Sequence, residues 1–268
     1  MFNLLNMDLY RVKRSRSCYI CLGIFLIGMV VMYGLLWLMA VPEGQKISVD
    51  IGMLTAVQVD EMSTIMDGTD SLILFRQASL DGGMYNIVLG VWVALFVCSD
   101  YQSGFIKNIL ALHQNRWNYV GSRIMTVGIV NLCCLILNLI FALAMNRVAG
   151  DMVPYAGWED YLFYMSWVWL LTTAFASLMI LICVLTRSVA AGSVAAVLLG
   201  SGVIVLPVYS ILNMFHIGGW LEYSIYLTMT KGPGQYTAAK DLYVYAVGAG
   251  FLILYTVLTG IVLEKQDI

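Results

Sequence analysis

The chain has 268 residues, of which 61% are hydrophobic and 11% charged, with a mean hydropathy of +0.85 and a formal net charge of −2. Soluble domains carry about 45–50% apolar and ~25% charged residues, so the polar residues here are too few to cover a soluble surface. A soluble globular enzyme is excluded, and so is a disordered chain, which needs low hydrophobicity and high charge; the composition is that of an integral membrane protein.

Residues 1–17 open the chain as an amphipathic segment. Phe2, Leu5, Leu9 and Val12 recur at steps of three and four, while Asp8, Arg11 and Arg14 fall away from that face. The pattern predicts either a helix lying in the inner headgroup layer or a basic flank that only orients the first span.

A bilayer core of about 30 Å needs roughly 20 apolar residues. Stretches free of Asp, Glu, Lys and Arg occur at Cys18–Val41, Gly83–Ser99, Ile124–Asn146, Tyr161–Thr186, Val189–Leu212 and Leu242–Leu263. The first is too long for a signal-peptide core and no A-x-A site follows it, so it reads as a retained anchor. The loop Pro42–Asp81 carries seven acids among scattered apolar residues, which predicts short helices capping the outer face. Spans four and five are joined by Arg187-Ser188 alone, which forces an antiparallel hairpin. Pro207 is expected to kink or end the helix of the fifth span. Ile211–Leu227, too short and polar for a full span, predicts an outer re-entrant element packed against other helices. Small residues in spans five and six (Gly192, Ala196, Gly248, Gly250) predict close helix approach.

Basic residues near span ends set orientation. With the N-terminus in the cytosol, Arg11, Lys13, Arg14, Arg16, Lys107, Arg116, Arg123, Arg187 and Lys265 lie inside, and the other five of the 14 lie outside. The expectation is an all-α integral membrane protein, one domain over 1–268, with six spans and both termini cytosolic.

Little in the chain suggests catalysis. His113 and His216 fall on opposite sides of the membrane, Gly200-Ser201-Gly202 has no neighbouring base, and neither His-Glu-x-x-His nor a phosphate-binding loop occurs. The spans lack the titratable groups that ion-coupled carriers use. Asn131 and Asn138, seven apart, share a face of the third span and could hydrogen-bond across helices. No catalytic residue, metal or cofactor is expected on this chain, and no nucleic-acid partner.

The informative segment is the inner loop 100–123. Ser103 is placed to cap a short helix with Phe105, Ile106, Ile109, Leu110 and Leu112 on one side and Lys107, Asn108 and Gln114 on the other. The segment re-enters the bilayer at Arg116-Trp117-Asn118-Tyr119. Such a helix is either a lever for a cytosolic partner or a plain interfacial turn.

Ser103-Gly104-Phe105-Ile106-Lys107-Asn108-Ile109-Leu110, after a short second span and before Arg116 and a third span, resembles the inner loop of type-2 ATP-binding-cassette (ABC) exporter permeases. There an acidic residue and S-G-[TF]-I-K-N precede an arginine and an aromatic re-entry. The opening Leu4-Leu5-Asn6-Met7-Asp8-Leu9-Tyr10-Arg11 is similar to the L-x-x-[ED]-x-x-[KR] start of the same family. The nearest likeness is to lantibiotic-immunity and bacitracin-resistance permeases of the bacterial cytoplasmic membrane.

The resemblance implies an interfacial first helix and a coupling helix containing Ser103, Gly104, Phe105, Ile106, Lys107, Asn108 and Ile109, seated in a cytosolic ATPase. Arg11, Lys13, Arg14, Arg16, Arg116 and Trp117 would lie at the inner membrane interface. It further implies ATP and Mg on the partner ATPase subunits, a second permease (identical or paralogous) meeting this one through spans one and five, membrane lipid around both, and an antimicrobial peptide or amphipathic compound as cargo. The alternatives are an ion-coupled secondary carrier and a membrane scaffold or sensor subunit.

Overall fold

A computed structural model describes residues 2–50, 69–106 and 116–266, and no strand occurs among these described residues. In chain order the α-helices are α1 (Phe2–Arg14), α2 (Arg16–Ala40), α3 (Pro42–Asp50), α4 (Ser71–Arg76), α5 (Met84–Gln102), α6 (Arg116–Val148), α7 (Trp158–Thr186), α8 (Val189–Gly200), α9 (Val205–Met214), α10 (Ile225–Lys231) and α11 (Tyr243–Lys265). Among the described residues, α2, α5, α6, α7 and α11 are long and apolar enough to cross a membrane, and the bent pair α8–α9 makes a sixth if it counts as one span. The chain is an all-α, multi-pass membrane protein.

α7 is the hub. Trp167, Leu171, Ala174, Ala176 and Met179 along it are fully buried, because α5, α6, α8 and α11 all pack against it. α2 lies at the edge and leaves Tyr19, Ile20, Ile24, Ile27 and Val31 exposed, an apolar surface suited to lipid. The starts of α2 and α6 and the ends of α5, α7 and α11 share one end of the bundle, here the terminal end. Arg116 Nη1 there donates to the carbonyls of Leu263, Glu264 and Gln266, and Arg187 Nη2 donates to Gln266 Oε1 at 3.1 Å. A cation on the last carbonyls of a helix also complements its dipole.

The far end is capped as the loop pattern predicts. Asp70 caps α4 by accepting from the amides of Leu72 and Ile73 at 3.0 and 2.8 Å, and a π-helical turn Gln77–Asp81 continues it. Leu72, Leu74, Phe75, Ala78 and Leu80 are buried beneath. Ser71 ties the cap to the α6–α7 connection, through its amide to Pro154 O at 2.9 Å and its hydroxyl against Tyr161 OH at 2.5 Å. The rest of this loop, 51–68, lies outside the described residues.

Two expectations are corrected. The third span begins at Arg116 rather than Ile124, and the second runs to Gln102 rather than Ser99. A search for charge-free stretches must stop at Arg123 and Asp100, whereas the helices continue through both because these charges neutralise each other. The fifth span does not kink at Pro207. It breaks at Gly200–Ile204, and α8 and α9 are bent by 44° there. Gly202 takes φ +73 under the Tyr226 ring, where an added Cβ would lie 2.1 Å from a ring carbon. Pro207 sits in the first turn of α9, where a missing N–H costs nothing. Beyond α9 the chain turns back through a 3-10 segment, Gly218–Tyr223, and α10, whose Ile225–Met229 are buried against the bundle. This is the hairpin expected before the last span.

The small residues of α8 are spent inside the chain. A Cβ on Gly90 of α5 would lie 2.7 Å from Ala196 Cβ, and one on Gly192 would lie 2.8 Å from Ala94 Cβ. Close backbone approach of this kind carries helix association in lipid. Gly90→Leu is therefore expected to destabilise the folded chain by about 1–3 kcal/mol, read as a lower melting temperature in detergent. Gly23→Leu on α2, where a Cβ meets nothing within 4 Å, is expected to leave the melting temperature unchanged.

Candidate functional site

The most unusual chemistry in the chain is a charge cluster buried at the terminal end, built from α1, α5 and α6. Asp8, Asp100 and Arg123 are at most 1% exposed, and Arg11 closes the group with its side chain 30% exposed. Arg123 Nη1 lies 2.6 Å from Asp8 Oδ1, and Nη2 lies 2.5 Å from Asp100 Oδ2. These are close ion contacts whose N–H directions miss hydrogen-bond alignment. The aligned bonds come from neighbours: Ser122 Oγ donates to Asp8 Oδ2 at 2.8 Å, Tyr119 OH to Asp100 Oδ2 at 3.0 Å, and Arg11 Nη2 to Asp100 Oδ1 at 2.8 Å. Two acids and two bases make the set neutral.

Aromatic rings cover the cations. The Arg123 guanidinium lies 4.9 Å from the Phe96 ring centre and 4.7 Å from that of Tyr119, and the Arg11 guanidinium lies 4.7 Å from that of Phe105. Cation–π contacts strengthen when desolvated. Burial pushes the Asp8 carboxyl above its ordinary range; Arg123 and the Ser122 hydroxyl pull it back, while Asp100 adds to the rise. A cleft of about 140 Å³ lined by Arg11, Ser15, Ser17, Trp92, Phe96 and Ser99 opens beside the cluster.

The local sequence explains each placement. Leu4, Leu5, Asp8 and Val12 are all buried, so Asp8 sits on the apolar face of α1. The expectation that it falls away from that face is overturned, because Arg123 and Ser122 supply the partners its burial requires. Leu9 is only half-buried, and the side chain of Phe2 lies outside the described part of the structure.

Of the residues expected in a coupling helix, Ser103, Gly104, Phe105 and Ile106 are described, whereas Lys107, Asn108 and Ile109 lie outside the described residues. The Ser103 hydroxyl donates back to Ser99 O at 2.7 Å and closes the end of α5. Gly104 has φ +68, a left-handed turn in open space. Phe105 is half-buried under Arg11, and Ile106 is buried at 2% exposure. This start of the loop is therefore fastened to the bundle.

The residues expected at the inner membrane interface divide. Lys13, Arg14 and Arg16 are exposed. Arg11 belongs to the cluster, Arg116 caps α11, and Trp117 donates from Nε1 to Glu264 Oε1 at 2.7 Å with its ring against Gly260. Within the bundle Asn131 does bridge helices. Its Nδ2 donates to Thr172 and Thr173 Oγ1 at 2.7 and 3.0 Å, and its Oδ1 accepts from Tyr85 OH at 2.7 Å. Asn138 is buried, and neither of its side-chain polar atoms has a hydrogen-bond partner among the described residues.

The sequence reading missed Asp8, Asp100, Arg123, Tyr119 and Ser122 as one site. The readable signal was the Leu5–Asp8–Val12 spacing, which puts an acid on the apolar stripe. Among the described residues no group of three or more His, Cys, Asp or Glu side chains could hold a metal ion. Fold and site together define a multi-pass helical membrane protein with a buried neutral ion cluster at one end. No protein-family model and no curated protein matches this sequence.

Removing Arg123 alone leaves two buried carboxylates facing each other. Arg123→Met is expected to cost about 3–5 kcal/mol of stability, measured by thermal unfolding in detergent. Adding Asp8→Asn should recover part of that loss, since the two changes act on one network. In Arg123→Met the Asp8 carboxyl, already raised by burial, loses its counter-charge and rises further. A group with a raised folded pKa gives stability at low pH that is lost as pH rises through that value. The single variant is therefore expected to weaken with rising pH, and the double variant should lack that slope.

Proposed function

We propose that the chain is the transmembrane permease subunit of an ATP-driven ABC exporter, without catalysis of its own and energised by a separate cytosolic ATPase. The observation that supports this most is the attachment of Phe105 and Ile106. Phe105 packs under Arg11, Arg11 binds Asp100, and Asp100 meets Arg123, which in turn meets Asp8. A push on the 103–109 segment would be transmitted together to α1, α5 and α6. Such a rigid-body displacement is the usual form of a switching transition.

In this reading the terminal end faces the cytosol of a bacterial cell and both termini are cytosolic. Lys107, Asn108 and Ile109 contact the ATPase, which binds ATP and Mg. Phe105 acts within the chain by holding the lever. A second permease, identical or paralogous, completes the transporter in the cytoplasmic membrane. α2 and α8 each leave apolar side chains uncovered, Ile24 and Ile27 on one and Val194 and Val197 on the other, which suits such an interface. The cargo is an antimicrobial peptide or amphipathic compound.

The test pairs two substitutions in the chain reconstituted with an ATPase recovered by detergent pull-down. Lys107→Glu is expected to abolish stimulation of ATP hydrolysis by the permease while leaving the melting temperature unchanged. Arg11→Ala is expected to lower both. Normal coupling in Lys107→Glu, or transport by the purified chain alone under an ion gradient, overturns the reading.

A further inference from the structure

The cleft of about 140 Å³ beside the ion cluster opens where α1, the start of α2 and the end of α5 meet. Unlike the apolar spaces deeper in the bundle, it has a largely polar wall, made by Arg11, Ser15, Ser17 and Ser99. Ser15 stands at the N-terminal boundary of α2 without capping it, and Ser17 follows in the first turn. Both residues are half-buried, neither hydroxyl bonds to another described residue, and neither oxygen is sealed from solvent. The third hydroxyl is already used, since Ser99 Oγ donates to Phe96 O at 2.8 Å. The cleft therefore presents two unengaged donors.

The charge around the cleft is positive. Residues 1–17 hold Arg11, Lys13, Arg14 and Arg16 against one acid, Asp8, and Asp8 is matched by Arg123 inside the neutral cluster. Lys13, Arg14 and Arg16 are exposed and form no ion pair with a described residue, so they set the sign of the field at the mouth. The cleft also leads toward the hydrocarbon. Trp92, in its wall, lines a shallow apolar slot of about 40 Å³ as well, together with Cys18, Leu22, Phe25 and Leu89. α1 buries Leu4, Leu5 and Val12 and exposes Lys13 and Arg14, which suits a helix at headgroup level. A ligand with an anionic head and an apolar stem fits both spaces, whereas a free anion would use only the first.

We propose that this cleft seats the phosphate of an anionic membrane phospholipid, held by the Ser15 and Ser17 hydroxyls in the field of Arg11, Lys13, Arg14 and Arg16. The first methylenes of the lipid lie against Trp92. Basic pockets between membrane helices are a recurrent seat for acidic lipid head groups, and a hydroxyl donating to an ionised oxygen makes a stronger bond than one to a neutral group. The site joins α1 to α2 and α5 through a bound lipid. It needs only the membrane and stands apart from the exporter reading.

The test uses the full chain in phosphatidylcholine nanodiscs that contain a phosphatidylglycerol with a photoreactive diazirine on its head group. Saturable labelling at one site per chain is expected, mapped by mass spectrometry to peptides holding residues 11–17 and 95–99. Unlabelled phosphatidylglycerol should compete, while added phosphatidylcholine and soluble glycerol 3-phosphate should not. Ser15→Ala with Ser17→Ala keeps every charge and should weaken the competition by about tenfold, and Ser17→Trp, which fills the cleft, should abolish saturable labelling. The position of the label in the unaltered chain answers the question even where a variant folds poorly. Labelling spread over the cationic surface without saturation, the mark of diffuse attraction, overturns the proposal. So does unchanged competition in the double variant, or displacement by glycerol 3-phosphate as effective as by the lipid, which would make the site one for a soluble phosphate.

Discussion

Arg123 sits between two carboxylates that cannot be near each other without it. Asp8 and Asp100 come from separate helices, and each contacts a different nitrogen of one guanidinium. Taking either acid or the base out of water costs several kcal/mol on its own. The cost is bearable only when all three are brought together, and that condition fixes where α1 lies against α6 and where α5 ends. The rings of Phe96 and Tyr119 complete a dry enclosure around the cation.

The far end of the molecule is held differently. There, caps and backbone hydrogen bonds do most of the fastening, beside a partly exposed ion pair of Arg76 with Asp81: Asp70 caps a helix, Ser71 reaches across to Pro154 and Tyr161, and Asn146 Nδ2 pins the carbonyl of Val153 at 3.1 Å. α8 breaks at a glycine pair, and α9 lies almost wholly on the surface with no buried residue. One end is therefore locked by a buried ion cluster and the other is assembled from a hairpin and a cap.

The spans were legible because length and apolarity suffice for them. The hairpin after span five and the bridging role of Asn131 followed from proline, glycine and helical spacing. The helix ends near Asp100 and Arg123 were not legible, since a window that rejects charge cannot recognise charges that cancel. The cluster joins residues far apart in sequence, with 114 positions between Ser122 and Asp8, and no local pattern records such a pairing. The break at Gly202 was obscured by Pro207, whose intrinsic preference pointed to the wrong turn. Only the packing of Tyr226 identifies the glycine as the one residue that fits.

The neutrality of the quartet also orders the birth of the protein. As the nascent chain leaves the ribosome, Asp8 and Asp100 are made before Arg123, and until then Arg11 is the only member of the group with opposite charge. During that interval the two acids share the single guanidinium of Arg11. The first helix gains its full set of partners only once α6 has been made, so the third span, rather than the first, completes the seat of the amino terminus.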